Sequence, residues 1–245
     1  MSLHPVQDMF TSALEKPQLA ILIDPDKPGN ELVDTLGDTI EKSGVSLIFL
    51  GGSLLTSYEI EDKISQLRKV TDAKIVMFPG AVPQVCADAD ATLFMSLLSG
   101  RNPELLIGQQ VIAAPLVRQM GIEAVSTGYM IVDGGRPTTA SYMSGSAPIP
   151  RDKPEIAACT AMAGEMLGMR NMYLDAGSGA QNHVPLEMIS AVRKSVNTPI
   201  IVGGGIRTPQ QAESVVEAGA SIVVVGNATE SNPNLIRDLS QVISA

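Results

Sequence analysis

The stretch I-V-G-G-G-I-R-T, Ile201 to Thr208, is a β-branched run that stops at three glycines, with Pro209 directly behind it. Proline suits the first position of a helix, and a threonine before it can cap the free N–H groups. The stretch therefore reads as a buried strand, a glycine turn and a helix start. The pattern repeats at once, because Ile222-Val223-Val224-Val225 stops at Gly226-Asn227. Two successive strands ending in glycine ahead of helices form the layout of a phosphate site at the carboxyl end of a parallel β-barrel.

Working outward, the same alternation runs through the chain. Apolar runs at 19–23, 47–50, 74–78, 91–98, 123–132 and 171–175 precede these two. None alternates strictly, which implies strands buried on both faces. Helices are expected between them. Asn30 is placed to cap one that runs to Ser43 with Gly44 at its end, and another is expected over 57–70. Asn102-Pro103 starts a third, and Pro154, Pro185, Pro209 and Pro233 open later ones. Residues 81–90 are short for a barrel helix, so the third crossover is expected to be irregular. Gly128 offers the fifth strand a place to kink. Residues 133–153, rich in Gly, Pro, Ser and Thr, read as a functional loop at a strand end. Eight such units predict one (β/α)8 TIM barrel of the α/β class, a single domain over 1–245. A Rossmann fold would show GxGxxG after the first strand, where this chain has D-P-D-K.

The composition bounds the function. The chain has 245 residues, 44% hydrophobic, with no Trp, so the core is aliphatic and methionine-filled. A formal net charge of −9 argues against nucleic acid, whose phosphates need a basic surface. Cys86 and Cys159 lack metal-ligand spacing and read as buried reduced thiols. No run approaches the length of a membrane span, and the N-terminus lacks a signal-peptide pattern, so a cytoplasmic location is expected.

In such a barrel the strand ends form one surface. Gly177, Ser178 and Gly179, then Gly203 to Gly205, then Gly226-Asn227 converge as an expected phosphate corner, because backbone N–H groups approach an anion closely where no Cβ intervenes. Asp24 closes the first strand. With the hydroxyl of Ser53 it could hold Mg²⁺, which takes one or two carboxylates plus water and phosphate oxygens; the structural alternative is a turn around D-P-D-K. Asp26 reads as the turn carboxylate. Asp175 and Tyr173 share a strand face, either as a hydrogen-bonded pair or as a group orienting a substrate hydroxyl. The histidines, His4 and His183, suggest no triad, and Lys27 lies past a proline turn, which disfavours a Schiff base.

Together L-I-D-P-D-K (22–27), G-G-S (51–53), F-P-G (78–80), Y-L-D-A-G-S-G-A (173–180), V-G-G-G-I-R-T (202–208) and V-G-N-A (225–228) resemble the geranylgeranylglyceryl phosphate synthase family, which includes bacterial heptaprenylglyceryl phosphate synthases. S-L-L-S-G-R-N-P (96–103) and S-T-G-Y-M-I-V-D-G-G (126–135) are similar to its larger group, which makes the geranylgeranyl product and has many hexameric members. The resemblance implies a Mg²⁺-dependent prenyltransferase that joins a prenyl diphosphate to the 3-hydroxyl of sn-glycerol 1-phosphate. By resemblance Asp24 and Ser53 are metal residues. Tyr173, Leu174, Asp175, Ala176, Gly177, Ser178, Gly179, Gly204, Gly205, Gly226 and Asn227 hold glycerol phosphate. Asp175 and Tyr173 are the catalytic pair, and Asp175 stands where the family commonly has Glu. A homo-oligomer, hexameric by resemblance, and at most transient membrane contact for product release are implied. Phe78, Leu97 and Met130 are candidates for an apolar prenyl channel. Other prenyl lengths, or a phosphate-sugar isomerase or aldolase on the same barrel, stand as alternatives.

Overall fold

The computed structural model describes residues 3–27, 29–57 and 59–243. Its strands are β1 (Gln18–Ile23), β2 (Leu47–Leu50), β3 (Lys74–Met77), β4 (Ala91–Leu97), β5 (Glu123–Ile131), β6 (Asn171–Asp175), β7 (Ile200–Gly203) and β8 (Ile222–Val225). All pair in parallel with their sequence neighbours, and β1 pairs with β8, so the barrel closes. The (β/α)8 architecture expected from the recurring runs is the one formed.

A helix α1 (Pro5–Ser12) precedes β1 and plugs the amino end of the barrel. Val6, Phe10 and Ala13 join the inward residues of the strands, among them Ala20, Phe49, Val76, Leu93 and Val224. Glu123 holds α1 by accepting the backbone N–H groups of Val6 (2.8 Å) and Gln7 (2.9 Å), and Gln7 exchanges side-chain hydrogen bonds with buried Asn171. A carboxylate at a helix start offsets both the unpaired donors and the dipole.

The outer layer holds α2 (Asn30–Lys42), α3 (Ile60–Leu67), α4 (Gln109–Met120), α6 (Pro154–Met166), α7 (Leu186–Arg193), α8 (Pro209–Glu217) and α10 (Leu235–Ile243); two short helices, α5 (Thr139–Ser144) and α9 (Asn227–Ser231), lie at the mouth. Gly29 takes the cap position of α2, the side chain of Asn30 lies outside the described residues, and Gly44 ends the helix at φ 66°. Asn102 caps as expected, its Oδ1 accepting Glu104 N–H at 3.1 Å, but a π-helical turn (Glu104–Gly108) precedes α4. The third crossover is indeed irregular, a single 3-10 turn (Val82–Gln84). Here the barrel loosens: β3 and β4 pair at two residues, whereas β4 and β5 pair at seven.

β5 runs continuously through Gly128, which pairs with both Ser96 and Met172. The missing side chain serves packing, since a Cβ there would lie 2.7 Å from Leu98 Cδ1 and 2.9 Å from Met172 Sδ. Cys159 is exposed rather than buried. The buried face of α6 runs through Ala157, Ala158, Ala161 and Gly164, and Cys159 falls off that stripe. No described helix is long and apolar enough to cross a membrane.

Candidate active site

The strand ends surround a polar cavity of about 680 Å³ at the carboxyl mouth. Asp24, Ser53, Tyr173, Asp175, Gly177, Ser178, Gly179, Gly204, Gly205, Gly226 and Asn227 all line it. Leu174 and Ala176 do not. Their side chains pack in the layer between barrel and helices, because alternate residues of β6 face opposite sides.

The glycine corner is built by close backbone approach. Gly204 and Gly205 have φ of 82° and 73°. A Cβ on Gly204 would lie 2.6 Å from Gly177 N, and one on Gly205 would lie 2.5 Å from Asn182 O. Side chains are excluded there on both counts. Asn227 Oδ1 accepts from Lys27 Nζ (3.2 Å) and Ser178 Oγ (3.4 Å), joining the ends of β1, β6 and β8. Arg207 donates to the carbonyls of Ala180 and Gln181 and braces the loop after β6. His183 places its Nδ1 2.7 Å from Val184 O and enters no catalytic arrangement.

Asp175 stands at the floor of the cavity, 6% exposed. Its partner is Tyr129, whose hydroxyl donates to Oδ2 at 2.5 Å; Gly177 N–H donates to Oδ1 at 2.7 Å. Tyr173 lies beside them, its ring centroid 5.4 Å from that of Tyr129 and 5.3 Å from that of Phe78. The pair expected within β6 is thus a bond between β5 and β6. Burial raises the carboxyl of Asp175 above its ordinary 3.8, while the bonds from Tyr129 and Gly177 pull it back. Burial, and then the charge of Asp175, push both phenols well above 10, so both stay protonated donors.

Asp24 is half-buried. Oδ1 accepts Asp26 N–H (3.2 Å), the turn contact foreseen for D-P-D-K, and Oδ2 pairs with Lys27 Nζ at 3.2 Å. Asp26, expected as the turn carboxylate, leaves that contact to Asp24; it borders the cavity and anchors the loop after β2 by accepting from Thr56 and Ser57 through backbone and side chain. Its slight burial works upward, but these four bonds outweigh it and hold the carboxyl at about 2. Glu230, from α9, also lines the cavity and accepts Asp24 N–H at 3.4 Å. Burial raises its carboxyl, against the attraction of Lys27. Asp24 with the Ser53 hydroxyl offers oxygen donors alone, half-exposed, on a cavity that a phosphate can enter. That donor set fits Mg²⁺, which keeps several waters and takes few protein ligands. No group of three or more His, Cys, Asp and Glu side chains suited to a metal occurs among the described residues.

A second cavity, about 370 Å³ and mostly apolar, opens where β3 and β4 part and the crossover between them supplies only a 3-10 turn. Phe78 and Leu97 line it, with Leu93, Val82, Ala113 and Val117. Met130 does not; it faces the outer layer next to inward Tyr129. Gly52, Ser53, Leu54 and Phe78 border both cavities, so the polar mouth and the apolar slot meet there. Sequence reasoning missed Arg136 and Glu230 in the cavity wall and the bonding role of Tyr129. A count of two along β5 would have found Tyr129; no local signal marks the other two.

Comparison with known proteins adds kinship. The PcrB family model matches residues 13–243. A geranylgeranylglyceryl phosphate synthase of Spirosoma linguale is 49% identical over 91% of this chain and 90% of its own length. One from Korarchaeum cryptofilum is 43% identical over 94% and 95%. The crystal structure of (S)-3-O-geranylgeranylglyceryl phosphate synthase from Thermoplasma acidophilum, in complex with sn-glycerol-1-phosphate, superposes with a TM-score of 0.91 at 32% identity, covering 98% of each chain.

Proposed function

The chain belongs to the PcrB family, and from that premise we propose that it joins a geranylgeranyl group to the 3-hydroxyl of sn-glycerol 1-phosphate. The observation that carries the reading is the meeting of a glycine-cornered polar cavity with an apolar slot, with Asp175 buried in the polar floor. The two kinds of cavity match the two substrates: a small phosphorylated polyol and a long hydrocarbon ending in diphosphate.

The residues divide the work. The corner of Gly177, Gly179, Gly204 and Gly205 presents backbone to the acceptor phosphate. Fixing that phosphate selects one enantiomer by holding one hydroxyl in line. Asp175 orients that hydroxyl, and Tyr129 holds the carboxylate in place. The C–O bond from the allylic carbon to diphosphate breaks while the glycerol oxygen bonds to that carbon. The hydroxyl proton passes late to Asp175. Asp24 and Ser53 would hold Mg²⁺, which when bound supplies Lewis-acid stabilisation to the departing diphosphate. Tyr173, stacked on Phe78, walls the reaction centre from water.

A homo-oligomer is part of the same reading. Ile107, Val111, Ile112 and Leu116 leave an apolar stripe exposed along the π-helical turn and α4, as a surface covered by a second copy would.

The test is transfer from labelled geranylgeranyl diphosphate with Mg²⁺ to each glycerol phosphate enantiomer. Product with sn-glycerol 1-phosphate alone is expected; no product with either would refute the reading. Diphosphates from C15 to C35 then define the chain length, and sedimentation velocity of wild type against Ile112→Glu tests the assembly.

A further inference from the structure

Three cationic side chains line the polar cavity, and the protein already engages two. Lys27 is held by Asp24 and Asn227, and Arg207 by the carbonyls of Ala180 and Gln181. Arg136 lines the same wall from the loop after β5, exposed, with no hydrogen-bond or ion-pair partner among the described residues.

Its placement is set from both sides. On one, Gly134 O accepts Asn182 N–H at 2.9 Å, and Gly134 is so tight on the loop after β6 that a Cβ would lie 2.7 Å from Ala176 O. On the other, Thr138 caps α5 and packs against Gly177, where a Cβ would lie 2.6 Å from Thr138 Oγ1. Between these two anchors the guanidinium reaches the glycine corner, with Nη2 2.9 Å from the point a Cβ of Gly179 would occupy.

We propose that Arg136 binds the phosphate of the glycerol phosphate acceptor, closing the glycine corner from the loop side. The inference rests on the acceptor assigned above. The corner offers backbone N–H groups, which carry only partial charge, to a phosphate that is largely dianionic at neutral pH. Asp24, Asp175 and Glu230 face the same cavity and oppose a second anion. A planar guanidinium supplies a full charge and a two-pronged fork suited to phosphate oxygens. Contact with Gly179 places that charge at the acceptor end rather than at Asp24 and Ser53.

The experiment measures calorimetric binding of sn-glycerol 1-phosphate, without prenyl substrate, and steady-state KM for both substrates, in wild type, Arg136→Met and Arg136→Lys. For Met, Kd and KM for glycerol phosphate should rise about tenfold, as loss of one charge-assisted contact predicts. KM for geranylgeranyl diphosphate should stay within about twofold. Lys should recover part of the loss. Raised ionic strength should weaken wild type more than the Met variant, because the contact is exposed to screening. Glycerol phosphate affinity unchanged in the Met variant, or an equal rise in both KM values, would overturn the inference. Wild type that binds glycerol phosphate through Arg136 yet makes no prenyl ether would refute the proposed reaction and leave this contact standing. Wild type that does not bind it would remove both.

Discussion

Asp175 shows how one buried side chain couples charge to chemistry. A carboxylate buried at the cavity floor resists ionisation, and the Tyr129 hydroxyl and Gly177 N–H offset part of that cost. If Asp175 must be ionised to accept the proton, the acid limb of kcat/KM should lie above 3.8, the ordinary value for aspartate. Tyr129→Phe removes a bond that favours the charged form, so its acid limb should move to higher pH than wild type. A pH–rate profile of both enzymes checks this, and a downward shift would contradict the assignment. At Asp24 the outcome is simpler. Asp24→Ala should cut turnover by at least about 10²-fold, as expected when a group stabilising a leaving anion is lost. Its circular dichroism spectrum should stay that of wild type, since Asp24 is half-buried and its partners Lys27 and Asp26 N–H can reach water. Full activity would refute its metal role.

Among elements, α1 and the loop after β2 each hang on one carboxylate. Glu123→Ala leaves the first N–H groups of α1 without their acceptor and should lower stability by about 1–2 kcal/mol, the usual size of a lost cap. Urea denaturation measures the shift in midpoint. Asp26 acts by a different sign rule. Its folded value of about 2 lies below 3.8, so its contribution is present above pH 3.8 and fades as pH falls through 2. Because Asp26 is only partly buried and water reaches its carboxylate, the contribution is modest, below about 1 kcal/mol. Asp26→Asn should lower the melting temperature at pH 7, and the gap from wild type should close between pH 4 and pH 2. A gap that stays constant would show that the four bonds from Thr56 and Ser57 do not depend on charge.

In the whole molecule, the reaction is placed by a gap in the barrel wall. Where the third crossover supplies only a 3-10 turn, β3 and β4 pair at two residues and the apolar slot opens towards α4. Ala113, on the buried face of α4, lines that slot. Ala113→Phe should fill it and raise KM for geranylgeranyl diphosphate several-fold more than KM for a C10 diphosphate, with KM for glycerol phosphate unaffected. Equal effects on both prenyl lengths would mean that the tail lies elsewhere.

The strands, the glycine corner and the D-P-D-K turn were legible in the sequence because each depends on local chemistry. β-branched runs make buried strands, positive φ selects glycine at Gly204 and Gly205, and proline ends a ladder at Pro25. Kinship was legible for the same reason, since the motifs lie at strand ends that a barrel gathers on one face. The tertiary structure alone decided which side chains meet across elements. It set Tyr129 rather than Tyr173 on Asp175, turned Met130 and Leu174 away from the cavities, and brought Arg136 and Glu230 into the wall from a loop and a short helix. Such contacts join residues tens of positions apart. They depend on register, barrel closure and the path of one loop, none of which is written in any short stretch of chain.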